Sequence, residues 1–175
     1  MSKTATKQLN STAASLLGFL HDGPMSGWDL VAQAQVRIGD FWTITQSQVY
    51  RELAAMDAAG LVVKGEAGAR ERTPYRITHA GREAFREWIS RDPGGETMRV
   101  PLLLTLHFGA HLDPARLDRI IAANREIHQD RLEHYLAKDT AEMTTQERAT
   151  VAFGLGYERA VLEWFDRLPE VLERT

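Results

Sequence analysis

Ala13, Leu16, Leu17 and Leu20 fall at i, i+3, i+4 and i+7, one face of a 3.6-residue repeat, so the pattern predicts an amphipathic helix that Ser11 caps and Gly23-Pro24 ends. A second short helix starts at Ser26, where Asp29 is placed to return the bond as a capping box, and carries Leu30, Val31, Ala34 and Ile38. A third starts at Thr45 with Gln48 as its reciprocal partner. Its core face is Val49, Leu53 and Met56, and Gly60 is placed to end it in a left-handed turn. The pattern then changes period. Leu61, Val62, Val63 and Lys64 read as a strand and Tyr75, Arg76 and Ile77 as its return, with Gly65 and Gly68 in the connection. Thr78 caps a fourth helix with Ala84, Phe85, Trp88 and Ile89 on one side.

Asp92-Pro93-Gly94-Gly95 is the clearest linker, because proline and paired glycine resist both helix and strand. Residues 100–108 then read as a short apolar helix. Asp113-Pro114 opens a long one carrying Leu117, Ile120, Ile121, Ile127, Leu132 and Tyr135. Thr144 and Glu147 form another capping box before a last long helix, expected to run to about Leu168, where Pro169 intervenes. Gly154 and Gly156 inside it each cost about 1 kcal/mol relative to alanine, which points to a close helix crossing or a kink. Two long helices joined by a short turn form an antiparallel hairpin, and such a hairpin has too little to bury by itself. The fold expected is mainly α with a small β-hairpin: a winged helix-turn-helix over residues 1–91, then a helical dimerisation domain over 92–175.

Charge and composition narrow the function classes. The net charge of −3 hides an asymmetry: residues 1–91 carry 11 Lys/Arg against 9 Asp/Glu, and residues 92–175 carry 10 against 15. Within the first half, residues 61–91 hold 7 basic and 4 acidic groups, enough for a local patch attractive to phosphates. With no cysteine, disulfides, thiolate metal sites and cysteine nucleophiles are excluded. No apolar run approaches the roughly 20 residues of a membrane span, and the polar N-terminal residues read as no secretion signal, so the chain is expected to stay in the cytoplasm.

Three helices followed by a two-stranded wing place the third helix in a major groove and the wing on the flanking backbone. If Val49, Leu53 and Met56 face the core, the opposite face presents Ser47, Arg51, Ala54 and Ala58, flanked by Gln48 and Ala55 on one side and Tyr50 on the other. Arg51 can bond guanine O6 and N7, glutamine can pair with adenine N6 and N7, and the alanines allow close approach. Gln46 at the helix start joins these candidates. Lys64, Arg70 and Arg72 lie in or beside the hairpin tip, where long cations reach phosphates. The plainer alternative is that alanine fills an exposed helix, Gln48 serves its cap alone, and the hairpin tip is an ordinary charged loop.

Leu16-Leu17-Gly18-Phe19-Leu20, the stretch from Gly23 through Leu30, Phe41-Trp42, Gln48-Val49-Tyr50-Arg51-Glu52-Leu53 and Gly60-Leu61-Val62 together resemble the PadR-like family of bacterial transcriptional regulators in content, order and spacing. So do Tyr75-Arg76-Ile77-Thr78, Gly81-Arg82 and Trp88. Leu103-Leu104 through Phe108, and Gly156-Tyr157-Glu158 through Trp164, are similar to the helical C-terminal region of the longer members. The resemblance implies a winged-helix DNA-binding domain, a homodimer joined through C-terminal helices, and repression relieved by a small-molecule effector. By position it puts Gln48, Tyr50 and Arg51 on the recognition helix and Tyr75 on the second wing strand. Thr73-Pro74 departs from the family by interrupting the basic run after Arg72.

Other chemistry is weaker. His107 and His111 would share a face on a continuous helix, but Phe108 stands where a metalloprotease motif needs glutamate and Gly109 weakens the helix between them. His128 and His134 read as polar positions. Phe153, Tyr157, Trp164 and Phe165 read as dimer core in preference to an effector pocket. The expectation is a regulator without cofactor or enzymatic activity, its partners double-stranded operator DNA and a second copy. A winged helix used to bind another protein is the alternative, and a small enzyme built on His107 and His111 a distant third.

Overall fold

A computed structural model describes residues 9–66, 73–95 and 98–172. The chain divides into two compact units, Met1–Gly95 and Glu96–Thr175.

In the first unit, α1 (Ser11–Phe19), α2 (Gly27–Arg37) and α3 (Gln46–Ala58) pack around Leu16, Leu17, Leu20, Leu30, Val49, Leu53 and Val62, all fully buried. Asn10, not Ser11, caps α1: its side chain accepts from the Ala13 N–H at 2.8 Å, leaving Ser11 as the first helical residue. The capping boxes of α2 (Ser26 with Asp29) and α3 (Thr45 with Gln48) are both formed. Helix α3 ends at Gly60, which adopts φ +70° while the Gly60 N–H bonds Asp57 O and the Leu61 N–H bonds Met56 O, the paired bonds of a Schellman turn.

The hairpin of β2 (Val62–Lys64) and β3 (Pro74–Ile77) is present, but it belongs to a larger sheet. Met25–Ser26, expected only as the approach to α2, forms a further strand, β1, antiparallel to β3, so the order is β1-β3-β2. The Pro74 nitrogen has no proton to donate, and proline is tolerated here as the first residue of its strand.

Thr78 caps α4 (His79–Ile89) and donates its hydroxyl to the Gly60 and Leu61 carbonyls, binding the wing to the end of α3. A Cβ at Gly81 would lie 2.1 Å from the Leu61 carbonyl oxygen, so only glycine lets the first turn of α4 seat there. Ala84 and Phe85 pack on the core, whereas Trp88 is half-buried and Ile89 exposed, because the last turn of α4 runs past the core of this unit.

The second unit contains α5 (Pro101–His107), a 3₁₀ turn (Gly109–His111), α6 (Pro114–Leu136) and α7 (Thr145–Val171). Asp113 caps α6, and the Thr144–Glu147 capping box opens α7. The α6–α7 pair is antiparallel, for Arg125 meets Asp166, His128 meets Glu158 and the Tyr135 ring meets Gly154. Gly154 marks the expected close crossing: a Cβ there would fall 2.2 Å from the Tyr135 ring. Gly156 has nothing within 4 Å. The helix does not stop at Pro169, as expected from the sequence, but runs to Val171, since proline removes one N–H and the next bond resumes from Leu172 to Leu168 at 3.0 Å.

Candidate nucleic-acid interface

Helix α3 presents two chemically different sides. Val49, Leu53 and Met56 are buried, and Gln46, Ser47, Tyr50, Arg51, Ala54, Ala55 and Ala58 are exposed, as the 3.6-residue period requires. Glu52 is the exception to polar residues facing outward: it is 7% exposed, at the i+3 position from Val49. Its Oε1 accepts from Arg51 Nε at 3.4 Å and Nη2 at 3.2 Å, while the arginine side chain remains 67% exposed. The sequence carried a signal for Glu52, because positions 49, 52, 53 and 56 complete an i, i+3, i+4, i+7 stripe into which a carboxylate fits only with a partner.

The first turn of α3 is held by its own cap. Gln48 Oε1 accepts from the Thr45 N–H at 2.8 Å and from the Thr45 hydroxyl at 3.0 Å, and that hydroxyl lies 3.1 Å from Ser47 Oγ. The amide oxygen of Gln48 is therefore engaged by the cap, and a pairing with adenine, which uses oxygen and nitrogen together, would compete with those bonds. Tyr50 leans on the start of α2, where a Cβ at Gly27 would sit 2.6 Å from its ring, and still exposes nearly half its surface.

On the wing, Lys64 and Tyr75 are direct cross-strand partners. Lys64 Nζ lies 3.2 Å from Asp57 Oδ2, joining β2 to the last turn of α3, and the hydrogen bond and charge of Asp57 raise the lysine's pKa above its ordinary value. Lys64 is thus a cation already paired within the protein. Arg76, not among the expected contacts, is an exposed cation on β3 opposite Val63. Arg70 and Arg72 lie outside the described residues.

In the second unit, His107 and His111 do not share a continuous helix: α5 ends at His107 and His111 sits in the 3₁₀ turn. Among the described residues no cluster of three or more His, Asp or Glu is arranged to hold a metal ion, and no helix is long and apolar enough to cross a membrane. His128, read from the sequence as an ordinary polar position, is nearly buried and makes a 2.5 Å hydrogen bond to the buried Glu158. Phe165 is buried and Trp164 packs beside it, while Phe153 stacks on Tyr157 and is largely exposed.

Comparison with known proteins places this geometry. Residues 16–87 match the family model "Transcriptional regulator PadR-like family", and residues 98–173 match "Virulence activator alpha C-term". The chain is 28% identical over 100 residues to the negative transcriptional regulator PadR of Bacillus subtilis, a match spanning about half of each protein, 54% of this chain and 54% of the other. It is 24% identical over 181 residues to "Probable transcriptional regulator Rv1176c" of Mycobacterium tuberculosis, covering 91% and 96%. Among solved structures, a PadR-like transcriptional regulator from Bacillus cereus superposes with a TM-score of 0.82 at 20% identity, covering 93% of this chain and 98% of that one. Bacillus subtilis PadR in complex with operator DNA gives 0.79 at 19% identity, covering 93% and 99%. The same protein with p-coumaric acid gives 0.74 at 19%, covering 94% and 100%.

Proposed function

Because this chain belongs to the PadR-like family of transcriptional regulators, we propose that it is a repressor that binds an inverted-repeat operator as a homodimer, reading bases with α3 and touching backbone with the wing. The observation that carries this reading is the outward side of α3. Its centre is Ser47, Ala54 and Ala58 with one long cation, Arg51, flanked by Gln46, Ala55 and Tyr50, and its opposite side is committed to the core. A surface of that width enters a major groove, about 12 Å across, without steric conflict. Arg51 offers a guanidinium to guanine. Gln48 acts as a donor through its amide nitrogen, to a purine N7, a carbonyl oxygen or a phosphate, since its oxygen is held by Thr45. Ser47, Gln46 and Tyr50 position the helix. Lys64, Arg70, Arg72 and Tyr75 serve the wing, along residues 1–91, and residues 92–175 supply the dimer contact.

The dimer reading is supported by apolar side chains the second unit leaves exposed, among them Leu103, Leu104, Phe108 and Phe153. The repressor reading is supported by the negative regulator that this chain is similar to over 100 residues, and control by a small aromatic acid by the relative solved with p-coumaric acid. The test is recovery of bound duplexes from a random pool by the full-length protein. An inverted repeat with a guanine in each half-site is the expected result. A chain that enriches no duplex would instead act as a protein-binding winged helix. Arg72→Ala is expected to weaken operator and random duplex by similar factors and to lower the salt slope by about one unit per subunit, since phosphate is the same beside every base pair.

A further inference from the structure

We propose that Glu52 is a positioning residue for base recognition, its buried carboxylate gripping one edge of the Arg51 guanidinium so that the other edge faces outward as a fixed fork for guanine. The proposal rests on α3 being the recognition helix. A guanidinium carries five N–H donors arranged along two edges, one formed by Nε and Nη2 and the other by Nη1 and Nη2. Glu52 Oε1 engages the first edge, at 3.4 and 3.2 Å. The second edge keeps one Nη1 proton and one Nη2 proton, the parallel pair that matches O6 and N7 of guanine.

The pairing is unusual for its spacing. Neighbours on a helix point about 100° apart and do not ordinarily face each other. Here one partner sits in the core-facing stripe and the other on the solvent face, so the arginine must bend along the helix surface to reach its carboxylate. As a stability device this is poor, because the arginine is two-thirds exposed and a solvent-screened pair contributes little. As a recognition device it has two effects. It orders a side chain that would otherwise lose its rotamer freedom only on reaching DNA. It also offsets the positive charge locally, so that Arg51 adds little sequence-independent attraction and its contribution lies in geometry.

The experiment compares full-length parent, Arg51→Ala, Glu52→Met and Glu52→Gln on the recovered operator and on random duplex at one salt concentration, with thermal melting to verify folding. Methionine fills the site without an acceptor, and glutamine keeps an oxygen that accepts from the guanidinium. Arg51→Ala should lower the operator-to-random ratio by about 10- to 100-fold. Glu52→Met should lower it by about 5- to 10-fold while random binding holds or rises, because a negative charge leaves the interface. Glu52→Gln should keep it within about twofold of the parent. A ratio unchanged by Glu52→Met but lowered by Arg51→Ala overturns this proposal and leaves the recognition helix standing. A ratio unchanged by Arg51→Ala removes the α3 reading, and this proposal with it. The free parent supplies a readout that needs no Glu52 variant to fold: the Arg51 Nε proton, assigned through Arg51→Lys, should give its own slowly exchanging NMR signal. A signal averaged with those of solvent-exposed arginines overturns the proposal.

Discussion

Leu16, Leu17, Leu20, Leu30, Val49, Leu53 and Val62 are fully buried, and all lie in the unit Met1–Gly95. The unit Glu96–Thr175 has a smaller core around Leu102, Phe165 and Leu168, and exposes Met98, Leu103, Leu104, Phe108, Ile127, Leu136 and Phe153. The difference follows from geometry. Three short helices crossing a sheet enclose a centre, whereas two long antiparallel helices share one seam and leave their other sides uncovered. The first unit therefore encloses its centre within the chain, though it too exposes Trp28, Val36, Phe41 and Trp42. The second has the thinner core, which we propose a second copy covers.

The comparison can be broken first by truncation. Residues 1–91 alone should fold cooperatively as a monomer and bind the operator about 10²- to 10⁴-fold more weakly than the full chain, as expected when one of two linked contacts is lost. Sedimentation and a binding titration decide it, and a truncated chain that stays a tight dimer contradicts the division.

Glycine substitutions then probe how rigidly each unit is packed. Gly81→Ala drives a methyl group toward the Leu61 backbone and should destabilise the first unit by about 3 kcal/mol. Gly154→Ala meets instead the Tyr135 ring, a side chain that can swing aside, and should cost about 1 kcal/mol. Urea unfolding of both variants measures the contrast, and equal losses would show that the second unit is packed as tightly as the first.

Smaller effects test the uncovered surface. Phe153→Ser should leave the unfolding of either unit within about 0.5 kcal/mol, yet raise the dimer dissociation constant roughly tenfold by removing an apolar anchor. Gly156→Ala has open space around it within the chain and should stabilise α7 by up to about 1 kcal/mol. A loss of dimer affinity in its place would put the second copy directly over Gly156.

Much of the first unit was legible because its signals are local. A capping box spans four residues, and Thr45 with Gln48 fixed the start of α3, while Gly60 fixed its end. What was missed depends on distant partners. Met25–Ser26 is too short to carry an alternating pattern, and it becomes a strand only because β3, some fifty residues later, lies beside it. Glu52 was given no place on either face of α3, and His128 was read as a polar position on its helix. Their places on the apolar stripes of α3 and α6 were the better guide, and Arg51 and Glu158 satisfy them there. Pro169 misled in the opposite direction, since a single missing donor near a helix end is a weaker stop than its sequence signal suggests. For the candidate interface, the face of α3 was legible from period alone. So was the engagement of Gln48 by Thr45, as the capping box; the pairing of Lys64 with Asp57 was not.

The way the wing is fastened bears on how such a regulator can diverge. Beyond the β2–β3 pairing, the Gly65 N–H bonds the Pro74 carbonyl at 2.7 Å, while β3 is braced on its other edge by β1. Gly65 and Pro74 are thus held together by backbone bonds of the described strands. Lengthening a loop closed in this way costs only about 0.6 kcal/mol for each doubling. Insertions and charge changes between residues 66 and 73 are therefore expected to leave the β2–β3 pairing in place. Descendants of one ancestral chain could retune how firmly they grip the backbone while keeping the bases they read.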